Sequence, residues 1–352
     1  MTAVPSYANP TSLEAFGLSR VVDGHNDHAW ASRLSRSHSV DGLDREGHGL
    51  HTDLPKLRAG GVGGQFWSVY APSDLAPAEA VQYTLEQIDF VHRFVARYPQ
   101  DLVPARTGHD VRAAWSTGRI ACLLGAEGGN SIGGSLGVLR VLASLGLRYL
   151  TLTHNVNVDW ADSATDVVNH GGLSEFGRDV VREMNRLGVL VDLAHVSTGT
   201  MRDAIAISDD PVVFSHSSCA TLCPHPRNVP DDVLASLAAN GGVLMVAFVP
   251  MFLSSDYRDW FDSGKVGAKP VVTVADVADH VEHARESAGI AHIGLGSDYD
   301  GFEDFPVSMG DVSGFAPLID CLADRGWSAS ELAMLMGGNI LRVLDDVVLA
   351  QR

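Results

Sequence analysis

His25 and Asp27 stand two residues apart at the end of an apolar run, in Val21-Val22-Asp23-Gly24-His25-Asn26-Asp27-His28. Side chains at i and i+2 of an extended segment share a face, so one imidazole nitrogen and one carboxylate oxygen can hold an ion of the kind zinc is. The same chemistry recurs after later apolar runs, at Glu127, His154, His195, His216 and Asp298. Two divalent ions about 3.5 to 4 Å apart need a carboxylate between them, and together they activate water and polarise a carbonyl. Glu127 is the expected bridge, because the glycines of Gly125-Ala126-Glu127-Gly128-Gly129 allow close backbone approach. His25 and Asp27 would serve one ion, and His195 and His216 the other. Asp298 is placed to take a proton from the bridging water and hand it to the leaving amine. His154 can donate to a developing oxyanion, and Arg227 can hold a substrate carboxylate through its planar fork. The reaction expected is attack of a metal-bridging hydroxide on an amide carbonyl. Activity should fall below about pH 6, where His25, His195 and His216 begin to bind protons instead of metal.

These residues need a scaffold that brings distant strand ends together. Apolar runs of strand length lie at 21–24, 63–70, 120–125, 149–153, 189–193, 211–215, 242–248 and 292–296. Continuous apolar runs are the mark of buried parallel strands, and alternation with helices implies right-handed crossovers. Eight such units predict a closed (β/α)8 TIM barrel, which carries its chemistry at the C-terminal ends of the strands. The polar residues above fall there. Between strands, 78–98 reads as a helix with Val81, Leu85, Ile88, Val91, His92 and Val95 on one stripe. Residues 174–187 read as another, opened by Ser174 and stopped by Gly188. No low-complexity stretch or linker divides the chain, so residues 1–352 are expected to form one barrel domain.

Composition narrows the function further. A 352-residue chain with 45% hydrophobic residues can bury a large core. Its formal net charge of -18 offers no basic surface for phosphates, which argues against nucleic acid and anionic membranes as partners. No signal peptide or membrane span is apparent, and a soluble, cytoplasmic protein is the expectation. Four scattered cysteines make no disulfide framework. Cys219, Cys223 and His225 could imitate part of a zinc knuckle but lack a fourth ligand. Most of the 15 histidines, among them His38, His48, His51, His109, His170, His280 and His283, read as surface or capping residues.

Several longer stretches resemble the membrane (renal) dipeptidases of the amidohydrolase superfamily. They are DGHND at 23–27, PKLRAGGVGGQFWSVY at 55–70, EGGNSIGGSLGVLR at 127–140, RYLTLTHN at 148–155, SHSS at 215–218, RNVPDD at 227–232 and SDYDG at 297–301. The resemblance runs from about residue 21 to 349. It implies a binuclear zinc centre, with other divalent ions able to substitute, and hydrolysis of dipeptides, L-Xaa-D-Xaa among them. By position it implies His25, Asp27, Glu127, His195 and His216 as metal ligands, His154 and Arg227 as the substrate-binding pair, and Asp298 as the acid/base. Such barrels commonly pair, which leaves room for a homodimer, although the sequence does not fix the oligomeric state. Two departures stand out. His28 replaces an apolar residue, and reads as an imidazole behind the ligands or facing solvent. Phe248-Val249-Pro250-Met251-Phe252 replaces a tyrosine-containing segment of the mammalian members. The absence of an apolar tail after Val348 points to a bacterial-type member without a lipid anchor. Two other readings fit the same barrel. One is hydrolysis of another amide or a lactone, which would give Arg227 no anion to hold. The other is a binding protein without catalysis, which would have no reason to keep both the ligands and Asp298.

Overall fold

The computed structural model describes Pro5 and residues 7–347; the expected features after Val348 lie outside the described residues. The strands are β1 (Val21–Asp23), β2 (Val62–Tyr70), β3 (Leu102–Pro104), β4 (Ile120–Glu127), β5 (Leu147–Thr151), β6 (Leu190–Asp192), β7 (Val213–Ser217), β8 (Val243–Val246) and β9 (Ile293–Leu295). Every pairing is parallel, in the order β2-β1-β9-β8-β7-β6-β5-β4-β3. The β2–β4 ladder, from Gly64↔Ala121 to Tyr70↔Glu127, closes all but β3 into the predicted TIM barrel. β3 pairs only with the start of β4. It is three residues long and partly exposed, too short for its apolar content to mark it as a strand.

Alternation along the strands builds two separate cores. Val22, Phe66, Leu123, Tyr149, Leu190 and Val213 fall in one cluster, which also takes in Ile340, Leu341 and Leu344 of the helix Asn339–Asp346. Their immediate neighbours Val21, Trp67, Leu124, Leu150, Val191 and Phe214 fall in the other, with the surrounding helices. Crossing of the first core by large side chains depends on missing ones. A Cβ on Gly125 would lie 1.9 Å from the Tyr149 ring, so only glycine lets that phenol reach across toward β1.

The two predicted helices form at 77–97 and 175–187. Pro77 occupies the first position of one, where a missing N–H costs nothing. Ser174 caps the other through the Gly177 N–H, and Gly188 ends it at φ 68°. The predicted stripe of the first helix is partly wrong. Ile88, Val91 and Val95 are buried, but Leu85 and His92 are exposed, and Phe90 and Phe94 are buried instead. The rotation has a cause: Phe90 and Phe94 pack against His28, with centroids 5.8 and 5.3 Å away. Among the described residues, no helix is long and apolar enough to cross a membrane.

Candidate metal centre and substrate cavity

Glu127 ends β4 and His216 lies inside β7, while Asp27, His154, His195 and Asp298 occupy the loops that follow β1, β5, β6 and β9. The barrel gathers all of them at one mouth. Glu127 Oε2 lies 3.5 Å from His25 Nε2, and Asp27 Oδ2 lies 3.3 Å from the same nitrogen. The other oxygen, Oε1, lies 3.0 Å from His195 Nε2 and 3.5 Å from His216 Nε2. The two oxygens of one carboxylate thus face two sets of donors. Spacings of 3.0–3.5 Å suit neighbouring ligands of a tetrahedral ion, where donors at about 2.0–2.1 Å lie about 3.3 Å apart.

Hydrogen bonds behind the imidazoles set their tautomers. Tyr149 Oη donates to the Gly24 carbonyl at 3.2 Å, so at 2.9 Å it accepts from His25 Nδ1–H. Ser215 Oγ donates to Asp192 Oδ2 at 2.6 Å and therefore accepts from His216 Nδ1–H at 2.8 Å. The Asn155 amide oxygen accepts from His195 Nδ1–H at 3.2 Å. In the neutral form of each ring the Nε2 lone pair is then the one that faces the interior of the cluster. His195 Nε2 and His216 Nε2 consequently face each other at 3.0 Å with no proton to share, and Asp27 Oδ1 is buried without a partner. A donor set of this kind fits a cation.

The charges differ across the cluster. Burial depresses His25, but the Tyr149 oxygen, Glu127 and Asp27 outweigh it and hold the ring well above 6.5. Burial, with Arg227 and His154 adding, holds His195 well below 6.5; burial, His25 and Arg227 do the same to His216. Burial opposes the ionised form of Glu127, yet His25 and His195 hold it well below the ordinary range. Burial raises Asp298 well above its ordinary value; His25 opposes this and Asp27 reinforces it.

A cavity of about 560 Å³ opens on the cluster, lined by Asp27, Glu127, His154, His195, Arg227 and Asp298 among others. His154 has 17% of its side chain exposed, against 1% for His216, and its ring rests on those of Tyr70 and His195 at 4.7 and 4.4 Å. Arg227 is 2% exposed. Its Nη1 and Nη2 donate to neutral acceptors, Ser217 Oγ at 3.3 Å and the His216 carbonyl at 3.2 Å, and Nε has no partner. Among the described residues no carboxylate pairs with this guanidinium, which burial lowers only to about 10.

The family model for membrane dipeptidases, peptidase family M19, matches residues 16–352. The chain belongs to that family. It is 42% identical to Dipeptidase aclJ of Aspergillus oryzae over 363 residues, which span 98% of this chain and 83% of that protein. It is 43% identical to Dipeptidase verJ of Clonostachys rogersoniana over 339 residues, spanning 93% and 84%. Among solved structures it is similar to dipeptidase AC, a metallopeptidase, with a TM-score of 0.85 and 26% identity over 95% of this chain and 100% of that one. The protein is a metal-dependent dipeptidase-type hydrolase, with the barrel expected of this family.

Some residues of the site were not singled out from sequence. Asp192 accepts from Thr151 Oγ1, the Ser215 N–H and hydroxyl, and the Ala194 N–H. Asp23 accepts from the Ser297 N–H and hydroxyl and from Gln65. Each ties its own strand to neighbouring segments beside the candidate ligands. The signal for both was a carboxylate inside an apolar run, and Asp23 also opens the DGHND stretch. His28 does not face solvent: it is fully buried, with Nδ1 3.4 Å from Asp300 Oδ2. The Cys219, Cys223 and His225 grouping forms no donor set, since Cys219 Sγ donates to the His280 carbonyl and Cys223 Sγ to that of Met251. His280, expected as a surface or capping residue, is buried and accepts the Cys219 N–H.

Proposed function

We propose that residues 1–352 act as one catalytic unit that hydrolyses dipeptides, L-Xaa-D-Xaa included, at a binuclear zinc centre. His25, Asp27, Glu127, His195 and His216 would hold the ions, with Glu127 between them. Metal in such a site supplies Lewis acidity and a nucleophile from water at neutral pH. The protein's own groups do the rest. His154, kept below 6.5 by burial, donates a neutral N–H to the carbonyl oxygen as it gains charge. Asp298 receives the proton of the attacking water and delivers it to the amine nitrogen as the C–N bond breaks. Its raised affinity for protons suits the second half of that task.

The observation that carries the dipeptide reading is Arg227, a buried cation with only neutral partners and one face on the cavity. A free α-carboxylate completes its fork. With the carboxylate there and the scissile carbonyl at the donor cluster, one residue lies between them, and a longer peptide would put a neutral amide against the charge. A lactone or cyclic amide leaves the guanidinium unpaired. Arg227→Met should raise KM for dipeptides at least about tenfold with a smaller change in kcat, the pattern of lost uniform binding. It should also narrow the gap between a dipeptide and its C-terminal amide. An undiminished preference for the free acid in the variant would show that another residue reads it.

A further inference from the structure

Beside Arg227 the cavity changes character. The guanidinium carbon lies 5.2 Å from the centre of the Phe252 ring, and the His225 ring covers Phe252 at 4.8 Å. Phe252 belongs with Ala247 and Val249 to a small apolar cluster, separate from both barrel cores, on which Met251 and Phe302 are packed. Val249, Met251, Phe252 and Phe302 all line the cavity that Arg227 lines. They come from the short helix Pro250–Leu253 after β8, from Val249 just before it, and from the loop after β9. Apart from the Met251 thioether, these side chains carry no polar atom. Met251 and Phe302 also lean on the barrel core that faces the helices, and the patch keeps one side on the substrate cavity.

Room is not limiting. A cavity of about 560 Å³ is several times the roughly 150 Å³ that holds a benzene ring. A small dipeptide would leave the apolar wall wet, and a polar side chain would be desolvated there without a partner. The wall also lies at a particular end of the substrate. A carboxylate held by Arg227 is one bond from the Cα of the C-terminal residue, so the side chain of that residue is the nearest to Phe252.

We infer that the wall formed by Val249, Met251, Phe252 and Phe302 selects dipeptides whose C-terminal side chain is bulky and apolar, aromatic or long aliphatic. This rests on the dipeptidase reading and on Arg227 as the carboxylate anchor. The test compares kcat/KM of the zinc-loaded enzyme for Ala-Gly, Ala-Ser, Ala-Leu and Ala-Phe, and for Phe-Ala. Ala-Phe should exceed Ala-Gly and Ala-Ser by about tenfold or more, the order that a few buried carbons provide. Met251→Ser and Phe302→Ser alter half-buried positions, and each should reduce the Ala-Phe to Ala-Gly ratio about threefold or more. Hydrolysis of all five with no preference, or ratios untouched by both substitutions, overturns the inference and leaves the dipeptidase reading standing. Variants that alter Phe-Ala in place of Ala-Phe overturn the assignment of the end. Failure to hydrolyse any of the five overturns the dipeptidase reading and the inference with it.

Discussion

The two sides of the donor cluster are made of different materials. One side is His25 with Asp27, an imidazole among carboxylates braced by a phenol that crosses the barrel. The other is His195 with His216, two imidazoles braced by an amide and a serine–aspartate relay, with a guanidinium near by. Electrostatics follows composition: the first side attracts a proton in place of an ion, and the second repels one. Glu127 reaches His25 at 3.5 Å and His195 at 3.0 Å, through different oxygens. The contrast teaches that equivalent ligand types need not respond alike to metal, mutation or pH.

The largest effect should come from removing what the two sides share. Glu127→Ala is expected to lose both ions and all measurable activity, whereas His25→Ala should keep an ion on the His195 side. Metal content of the two purified variants is the check, and equal loss would remove Glu127 from its place between the sides. Next in size is Asp298, whose Oδ1 lies 4.0 Å from His25 Nε2 and which groups with His216 as well. Asp298→Asn should bind metal and dipeptide normally while kcat falls by about 10² to 10⁴, the range for a positioned acid/base group. A near-normal kcat would mean that another group moves the proton.

How far the sequence disclosed this arrangement depends on the range of each interaction. Apolar runs marked all eight barrel strands because burial on both faces is a local property of composition. The candidate ligands stood out because histidines and carboxylates at strand ends are chemically conspicuous, and the structure brings them to one mouth of the barrel. What depended on pairing in space was hidden. Tyr149 looked like one more apolar strand residue, yet its hydroxyl sets the His25 tautomer through a gap left by Gly125. His195 and Asp298 sit at φ 68° and 67°, a strained choice for residues with a Cβ, and no local pattern announces it. For His28 the sequence leaves open a place behind the candidate ligands or one facing solvent, because nothing local shows that aromatic rings from 67, 90 and 94 enclose it.

The bracing groups offer a finer test of the contrast, of intermediate size. Tyr149→Phe removes the acceptor for His25 Nδ1–H, and Ser215→Ala removes the one for His216. Loss of such partners typically weakens metal binding by about 10 to 100-fold. Each should weaken one ion and spare the other, Tyr149→Phe on the carboxylate side and Ser215→Ala on the imidazole side. Stepwise chelator titration reads the two affinities separately, and a variant that loosens both ions alike would show that the sides are not independent.

The smallest expected effect is a difference in proton release. Without an ion, His25 is held well above 6.5, so at pH 7 it carries a proton that metal must displace. Asp27, raised by burial and by Glu127, works in the same direction. His195 and His216, held well below 6.5, are already neutral at pH 7 and release nothing when they ligate. Binding that displaces one proton weakens about tenfold for each unit the pH falls. Affinity on the His25 side should therefore drop steadily from neutral pH downward, while affinity on the His195 side stays flat until the medium reaches the depressed values of its histidines. The acid loss of activity expected near pH 6 then belongs chiefly to one ion. Calorimetric titration of the metal-free protein at pH 7, in two buffers of different ionisation enthalpy, gives the protons released per ion. The expected result is about one for the first side and about none for the second. Equal release from both would mean that Glu127 shares its charge evenly and that the two sides behave as a single site.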